Sequence, residues 1–265
     1  MKPIDYRTQT VLVTGASSGI GAEFARRLAA RGANLVLVAR RLDRLNALAE
    51  ELTSTYGVRA HTIAADLTTP EVGAVLDKEL ADRGVKITSI VNNAGFATHG
   101  PFREEDPARL RAEIAVDVTS VVDISRTFID RLDGFLINVA SVAAYQANPT
   151  MAVYGATKAF VLSFTEALWY ESRGTGLRVF ALSPGATQTE FFDVAGSSAD
   201  GGSRRMTPAQ VVDTAFSALS RRNPPPSVVV GRANRFAVAA SRVLLSRRRS
   251  TTLIGSMMRR STAAA

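Results

Sequence analysis

The sequence contains no cysteine, which excludes disulfides, thiolate metal sites and cysteine nucleophiles. Its two histidines, His61 and His99, lie far apart and outside any ligand-spaced cluster, so no metal site is expected. No run of about 18 apolar residues occurs, and the first residues lead into no apolar signal-peptide core. A cytoplasmic protein is therefore expected. Acidic residues are missing from one region only: residues 232–265 hold eight arginines and no Asp or Glu. The formal net charge of +8 belongs to that tail, because residues 1–231 carry 24 basic against 24 acidic side chains. A neutral body gives no reason to expect nucleic-acid binding.

What is present is a chain of 265 residues, 46% hydrophobic and 21% charged, enough for one substantial core. Short apolar, β-branched runs at 10–13, 35–39, 60–64, 87–91, 135–139, 177–182 and 228–230 read as strands. Helical patterns alternate with them. Ile20, Phe24 and Leu28 recur at helical spacing and Gly32 stops that helix; further helices are expected at 42–56, 107–130, 151–172 and 208–220. Such alternation predicts βαβ units and an α/β fold with a parallel sheet, one domain over 1–231. Segment 193–205, rich in Gly, Ser and Asp, is expected to be mobile.

Two stretches carry chemistry. Gly15-x-x-x-Gly19-x-Gly21 joins the first strand to the first helix. Glycines there let the backbone turn tightly toward a pyrophosphate, and the helix start offers N–H groups and a positive dipole end. An NAD-binding fold places a carboxylate at the end of the second strand for the ribose 2′-hydroxyl. Here the strand ends Val38-Ala39-Arg40-Arg41. Small Ala39 leaves room for a 2′-phosphate and Arg40 can hold it in bidentate fashion, so NADP(H) is the expected cofactor.

The second stretch is Tyr154-x-x-x-Lys158, which puts a phenol and an ammonium one helical turn apart. Lowering a phenol pKa from ~10 to ~7 takes about 4 kcal/mol. One unit charge about 4 Å away, at an effective dielectric near 20, supplies roughly that much. Lys158, helped by a cationic cofactor ring, is thus expected to make Tyr154 a proton donor near neutral pH.

Thr14-Gly15-x-x-x-Gly19-x-Gly21, Asp66-Leu67, Asn92-Asn93-Ala94-Gly95, Ser141, Tyr154-x-x-x-Lys158 and Pro184-Gly185-x-x-x-Thr189 follow one another in a telling order. In order and spacing, over about residues 8 to 231, they resemble the short-chain dehydrogenase/reductase family. The resemblance implies a single-domain Rossmann-type doubly wound sheet, with helices on both faces. It implies hydride transfer between a nicotinamide and a carbonyl or secondary alcohol. By resemblance Ser141 hydrogen-bonds the substrate oxygen, Tyr154 exchanges the proton, and Lys158 holds the nicotinamide ribose while lowering the Tyr pKa. Asp66 and Leu67 face the adenine, Asn93, Ala94 and Gly95 the cofactor ribose, and Pro184, Gly185, Thr187 and Thr189 the carboxamide or phosphates. Ser17, Ser18, Ile20 and Arg41 complete the cofactor lining beside Arg40. A homodimer or homotetramer formed through helices 107–130 and 151–172 is also implied.

One position departs from the family. Val116-Asp117-Val118 stands where an Asn usually holds a water in the proton relay from Lys. An ionised Asp accepts hydrogen bonds and cannot donate them, and it brings a negative charge toward Lys158. Asp117 is therefore expected to shift the pH optimum. It also keeps open a non-catalytic dinucleotide-binding or scaffold protein, with isomerase or epimerase chemistry as a third reading. His99 falls where the family lines its substrate mouth, although a surface or packing role is the more expected one; Phe96, Phe102, Phe191 and Phe192 either line an apolar pocket or belong to the core. In the tail, Phe236, Ala240, Val243 and Leu244 share one side of an expected helix and Arg235, Arg242 and Arg249 another. Two readings stand for this extension: packing on the body or on a neighbouring subunit, and contact with an anionic membrane or an acidic partner.

Overall fold

The structure, a computed structural model, describes residues 3–264, without the side chains of Arg242 and residues 260–264. Every strand the sequence pattern suggests is present. They are β1 (Thr10–Thr14), β2 (Asn34–Ala39), β3 (Ala60–Ala64), β4 (Ser89–Asn92), β5 (Phe135–Val139), β6 (Arg178–Ser183) and β7 (Ser227–Val229). They form one parallel sheet in the order β3-β2-β1-β4-β5-β6-β7. A parallel sheet must be covered on both faces, which is why its central strands are apolar throughout. Val11, Leu12 and Val13 are all fully buried.

The helices are α1 (Gly19–Ala29), α2 (Leu42–Tyr56), α3 (Val72–Asp82), α4 (Pro107–Ile114), α5 (Ser120–Phe128), α6 (Ala152–Glu171), α7 (Phe191–Ala195), α8 (Pro208–Leu219), α9 (Arg232–Leu244) and α10 (Arg247–Ala264). One face of the sheet is covered by α1, α2 and α8 through Phe24, Leu28, Leu45, Leu52, Val212 and Phe216. The other is covered by α3 and α5 through Leu76, Leu80, Ile124 and Phe128, and by α6, whose Val161 and Leu162 pack on Ala181 of β6. Strand order reverses at β1, with β2 on one side and β4 on the other. In open α/β sheets the crevice beyond the strand ends at such a switch point is the ligand site.

The structure differs from the sequence reading in four places. Helix α3 lies between β3 and β4, where no helix was anticipated. The expected helix over 107–130 is interrupted by a π-helical turn, Ala115–Thr119, which swings Asp117 into the interior. Segment 193–205 folds as the end of α7 and a 3-10 turn, Ser197–Asp200, because α10 packs over it and Arg205 pairs with Asp200 at 2.8 Å. The tail forms two helices, breaking at Leu245-Ser246, where Leu245 turns to extended backbone. Arg242 of the expected basic stripe lies outside the described side chains.

Candidate active site

The ends of β1, β2, β4, β5 and β6 open into one cleft of about 770 Å³. It begins at the turn after β1. Gly21 is obligatory there: a Cβ would sit 2.4 Å from the Gly15 carbonyl oxygen and 2.6 Å from Asn93 Nδ2. Ser18 caps α1 with no side-chain hydrogen bond, so the first N–H groups of that helix face the cleft without a side-chain partner. Gly15, Ser17, Ser18, Gly19 and Ile20 line this end. The Thr14 hydroxyl accepts from the N–H groups of Asn93 (2.9 Å) and Ala94 (3.0 Å), tying the turn to the end of β4.

Ala39, Arg40 and Arg41 line the cleft at the end of β2, opposite Asp66, Leu67 and Thr68 after β3. Arg40 is exposed and has no ion-pair partner among the described residues. Arg41 is fixed. It donates to Ser17 Oγ at 2.9 Å and Ser18 Oγ at 3.1 Å, and pairs with Glu190 Oε2 at 2.8 Å. Arg44 also pairs with Glu190. The two arginines hold the Glu190 carboxyl below the usual range, and that residue gave no signal in the sequence. Asp66 Oδ1 accepts from the Thr68 N–H and hydroxyl, both at 2.9 Å, which lowers its pKa. The described groove accommodates a dinucleotide phosphate: a glycine turn that a Cβ would fill, free helix N–H groups and an unpaired guanidinium.

Beyond it lie Ser141, Tyr154 and Lys158. Ser141 follows β5 and accepts from the Ala143 N–H at 3.1 Å; its hydroxyl also acts to lower the Tyr154 pKa. Lys158, one turn after Tyr154 on α6, is 5% exposed. Its Nζ lies 3.1 Å from Asp117 Oδ2, 3.4 Å from the Val139 carbonyl and 5.6 Å from the Tyr154 ring centre. Asp117 is fully buried and also accepts from the Phe96 N–H (3.1 Å) and the Thr157 hydroxyl (3.3 Å). The anticipated pairing of Asp117 with Lys158 is thus present.

The electrostatics qualify the expectation for Tyr154. Burial raises its pKa most; Lys158 lowers it, Asp117 raises it, and the phenol ends above its ordinary value. The expected lowering is therefore not supplied by the side chains alone, since burial outweighs the ammonium. Lys158 is pulled down by burial, but Asp117 and Tyr154 outweigh that and hold it charged. Burial pushes the Asp117 carboxyl up against the pull of Lys158.

Glu113, one turn before Asp117, also escaped the sequence reading, although two acids at helical spacing were a visible signal. It is fully buried, and its Oε2 accepts from the Thr98 N–H (3.0 Å) and hydroxyl (2.7 Å). Its Oε1 is buried without a hydrogen-bond partner. Burial, opposed by Thr98 and assisted by the Asp117 charge, pushes its carboxyl up to about 7.

A matching family model, described as short chain dehydrogenase, covers residues 9–199. The chain belongs to the short-chain dehydrogenase family. Sulfoacetaldehyde reductase 2 of Chromohalobacter salexigens is 38% identical over 188 residues, 68% of this chain and 73% of that protein. The 7beta-hydroxysteroid dehydrogenase of Collinsella aerofaciens is 32% identical over 238 residues, covering 86% and 88% of the two chains. A short-chain dehydrogenase from Sphingobium yanoikuyae, solved in complex with NADPH, superposes with a TM-score of 0.78 at 35% identity, covering 88% of this chain and 93% of that one. One from Burkholderia phymatum in complex with NAD shares the fold at 23% identity and a TM-score of 0.80, covering 90% and 94%. Membership makes this short-chain dehydrogenase an oxidoreductase that uses a nicotinamide dinucleotide and acts on a carbonyl or CH–OH group.

The rest of the cleft mixes polar Gln146, Asn148, Asp200 and Ser203 with a larger apolar set. Phe96, Met151, Phe191, Phe192 and Val194 line it, and so do Ile254, Met257 and Met258 of α10. Phe191 stacks at a tilt on Tyr154, with ring centres 5.4 Å apart. Phe102 is exposed, in neither the cleft lining nor the core, and His99 is half-buried outside the lining. Pro184, Gly185, Thr187 and Thr189 do line the cleft; the Gln188 N–H donates to the Met206 carbonyl and the Met206 N–H to the Ala186 carbonyl, both at 2.8 Å, which holds the loop after β6. Among the described residues no group of three or more His, Asp or Glu could hold a metal, and no helix is long and apolar enough to cross a membrane.

Proposed function

We propose that this chain is an NADP(H)-dependent reductase of apolar ketones or aldehydes, running also as the corresponding alcohol dehydrogenase. The observation that carries the reading is that Ser141, Tyr154 and Lys158 share one cleft with Arg40 and Arg41. Arg40 takes the 2′-phosphate, Arg41 closes over the glycine turn, and the start of α1 takes the pyrophosphate. Gly15, Gly19, Gly21, Asn93, Ala94, Gly95, Pro184, Gly185, Thr187 and Thr189 shape the rest of the cofactor bed, with Asp66 and Leu67 at the adenine. When bound, the dinucleotide supplies or accepts the hydride and brings a cationic ring in its oxidised form.

The protein's own groups handle the proton. Ser141 donates a hydrogen bond to the substrate oxygen, and Tyr154 Oη donates the proton to that oxygen during reduction. Because burial keeps the phenol protonated at neutral pH, the free enzyme is poised for reduction. Lys158 Nζ, held charged by Asp117, stabilises the phenolate left behind. Self-association through α4–α5 and α6 completes the reading: Ile114 and Phe160 are exposed there, and Phe160 stacks on Phe164 at 5.8 Å.

The Asp117–Lys158 ion pair supports one rival, a dinucleotide-binding scaffold in which the ammonium is occupied. Tyr154→Phe decides. NADPH consumption screened over ketones, steroids, sugars and 3-oxoacyl thioesters should fall by about two to four orders of magnitude, while NADPH binding, followed by fluorescence, stays unchanged. Retained turnover overturns the reductase, and turnover without net NADPH consumption points instead to epimerase chemistry.

A further inference from the structure

Helix α9 is amphipathic in the reverse sense for a packed surface helix. The side it turns to the protein carries Asn234, whose Nδ2 donates to the Val230 carbonyl at 2.9 Å, with half-buried Val238 and Ser241. The side it turns to solvent carries Phe236, Val243 and Leu244, which are 77%, 82% and 72% exposed. A solvent-facing apolar stripe of this kind marks an interaction surface. Helix α10 extends the pattern. Ile254 and Met258 line the cleft, whereas Leu253 and Met257 are 51% and 43% exposed, Met257 at the cleft rim.

The charges on these two helices have one sign. Arg232, Arg235, Arg247, Arg248, Arg249 and Arg259 are exposed, and residues 232–265 contain no acid to neutralise them. We propose that α9 and α10 dock on an anionic lipid surface. The apolar stripe enters the interface, the arginines meet lipid phosphates, and apolar substrate passes from the bilayer past Met257 into the cleft. Apolar side chains flanked by arginines suit both layers of such a surface at once. A second copy of the chain suits it less, since a two-fold contact through α9 sets arginines against arginines with no carboxylate between them.

The substrate route rests on the reductase reading; docking does not, so the two are tested separately. The full chain is mixed with vesicles of phosphatidylcholine alone, or of phosphatidylcholine with phosphatidylglycerol, and floated on a density gradient. Flotation is expected with the anionic vesicles at low salt, to weaken at high salt, and to be absent with phosphatidylcholine alone. The triple substitutions Phe236→Ser/Val243→Ser/Leu244→Ser and Arg247→Gln/Arg248→Gln/Arg249→Gln should each lower partitioning about tenfold or more, with thermal midpoint unchanged. Tyr154→Phe should float like the wild type. Full chain left in the aqueous fraction with anionic vesicles overturns the proposal. So does an apolar triple variant that floats undiminished, or one that turns an oligomer into a monomer in sedimentation velocity, which would make the stripe a contact between copies.

Discussion

At Asp117 a carboxylate occupies the place where the motif resemblance leads one to expect Asn, and its surroundings define what it does. Three donors converge on it: Lys158 Nζ, the Phe96 N–H and the Thr157 hydroxyl. Its negative charge raises the Tyr154 pKa and keeps Lys158 protonated. Asp117→Asn removes that charge while leaving an acceptor for Phe96. The phenol then ionises more easily, so the alkaline limb of kcat for reduction, where Tyr154 must be protonated, should move to lower pH. Wild-type and variant pH–rate profiles that superimpose would show that Asp117 is only a packing residue.

Glu113 gives the same region a stability signature. Its carboxyl, ordinarily near 4.5, is pushed up to about 7 by burial. Between those values the folded chain binds more protons than the unfolded one, so stability falls as pH rises through that window and levels off above it. The full loss is up to about 3 kcal/mol. Glu113→Gln keeps an acceptor for both Thr98 bonds and has nothing to ionise. Its thermal midpoint should drop less than the wild type's between pH 5 and pH 8, by several degrees. A constant gap between the two across that range would mean that the wild-type carboxyl does not titrate there.

At the scale of elements, the proposed preference for NADP(H) rests on the residues where β2 ends. Arg40 is unpaired among the described residues, whereas Arg41 is held by Ser17, Ser18 and Glu190. A charge-assisted bidentate contact is worth about 1.5–3 kcal/mol, so Arg40→Ala should raise KM for NADPH roughly 10- to 100-fold and leave KM for NADH nearly unchanged. Equal effects on both cofactors would place the 2′-phosphate elsewhere. This turn was legible in the sequence because its parts are neighbours along the chain: a strand, a spaced glycine set, then two arginines. Tyr154 and Lys158 were legible for the same reason, four residues apart on α6. Glu190 was not, since it meets Arg41 across 149 positions of sequence. Asp117 was read as a substitution, but the π-helical turn that buries it depends on packing between α4–α5 and α6 that no local pattern encodes.

At the scale of the whole molecule, the least family-like stretch closes the most specific part of the site. In the sequence the tail read as one basic helix. The structure divides it, and the second helix supplies a cleft wall, with Met258 packed among Ala97, Met151 and Ala195 beside Tyr154 and Phe191. Ile254 and Met258 of α10 cluster with Ala97, Met151 and Ala195, a set that includes no residue of the glycine turn and neither arginine after β2, so wall and cofactor bed should separate in experiment. A chain ending at Ser246 should keep its NADPH affinity. It loses Ile254, Met257 and Met258, and losing even one well-packed apolar contact costs about 1.5 kcal/mol. KM for a bulky apolar ketone should therefore rise about tenfold or more. KM for a small water-miscible ketone should change little, because such a substrate needs only Ser141 and Tyr154. If the truncation weakens both ketones and NADPH alike, α10 serves the packing of the 197–200 turn and the cleft as a whole, and the division of labour between core fold and tail is wrong.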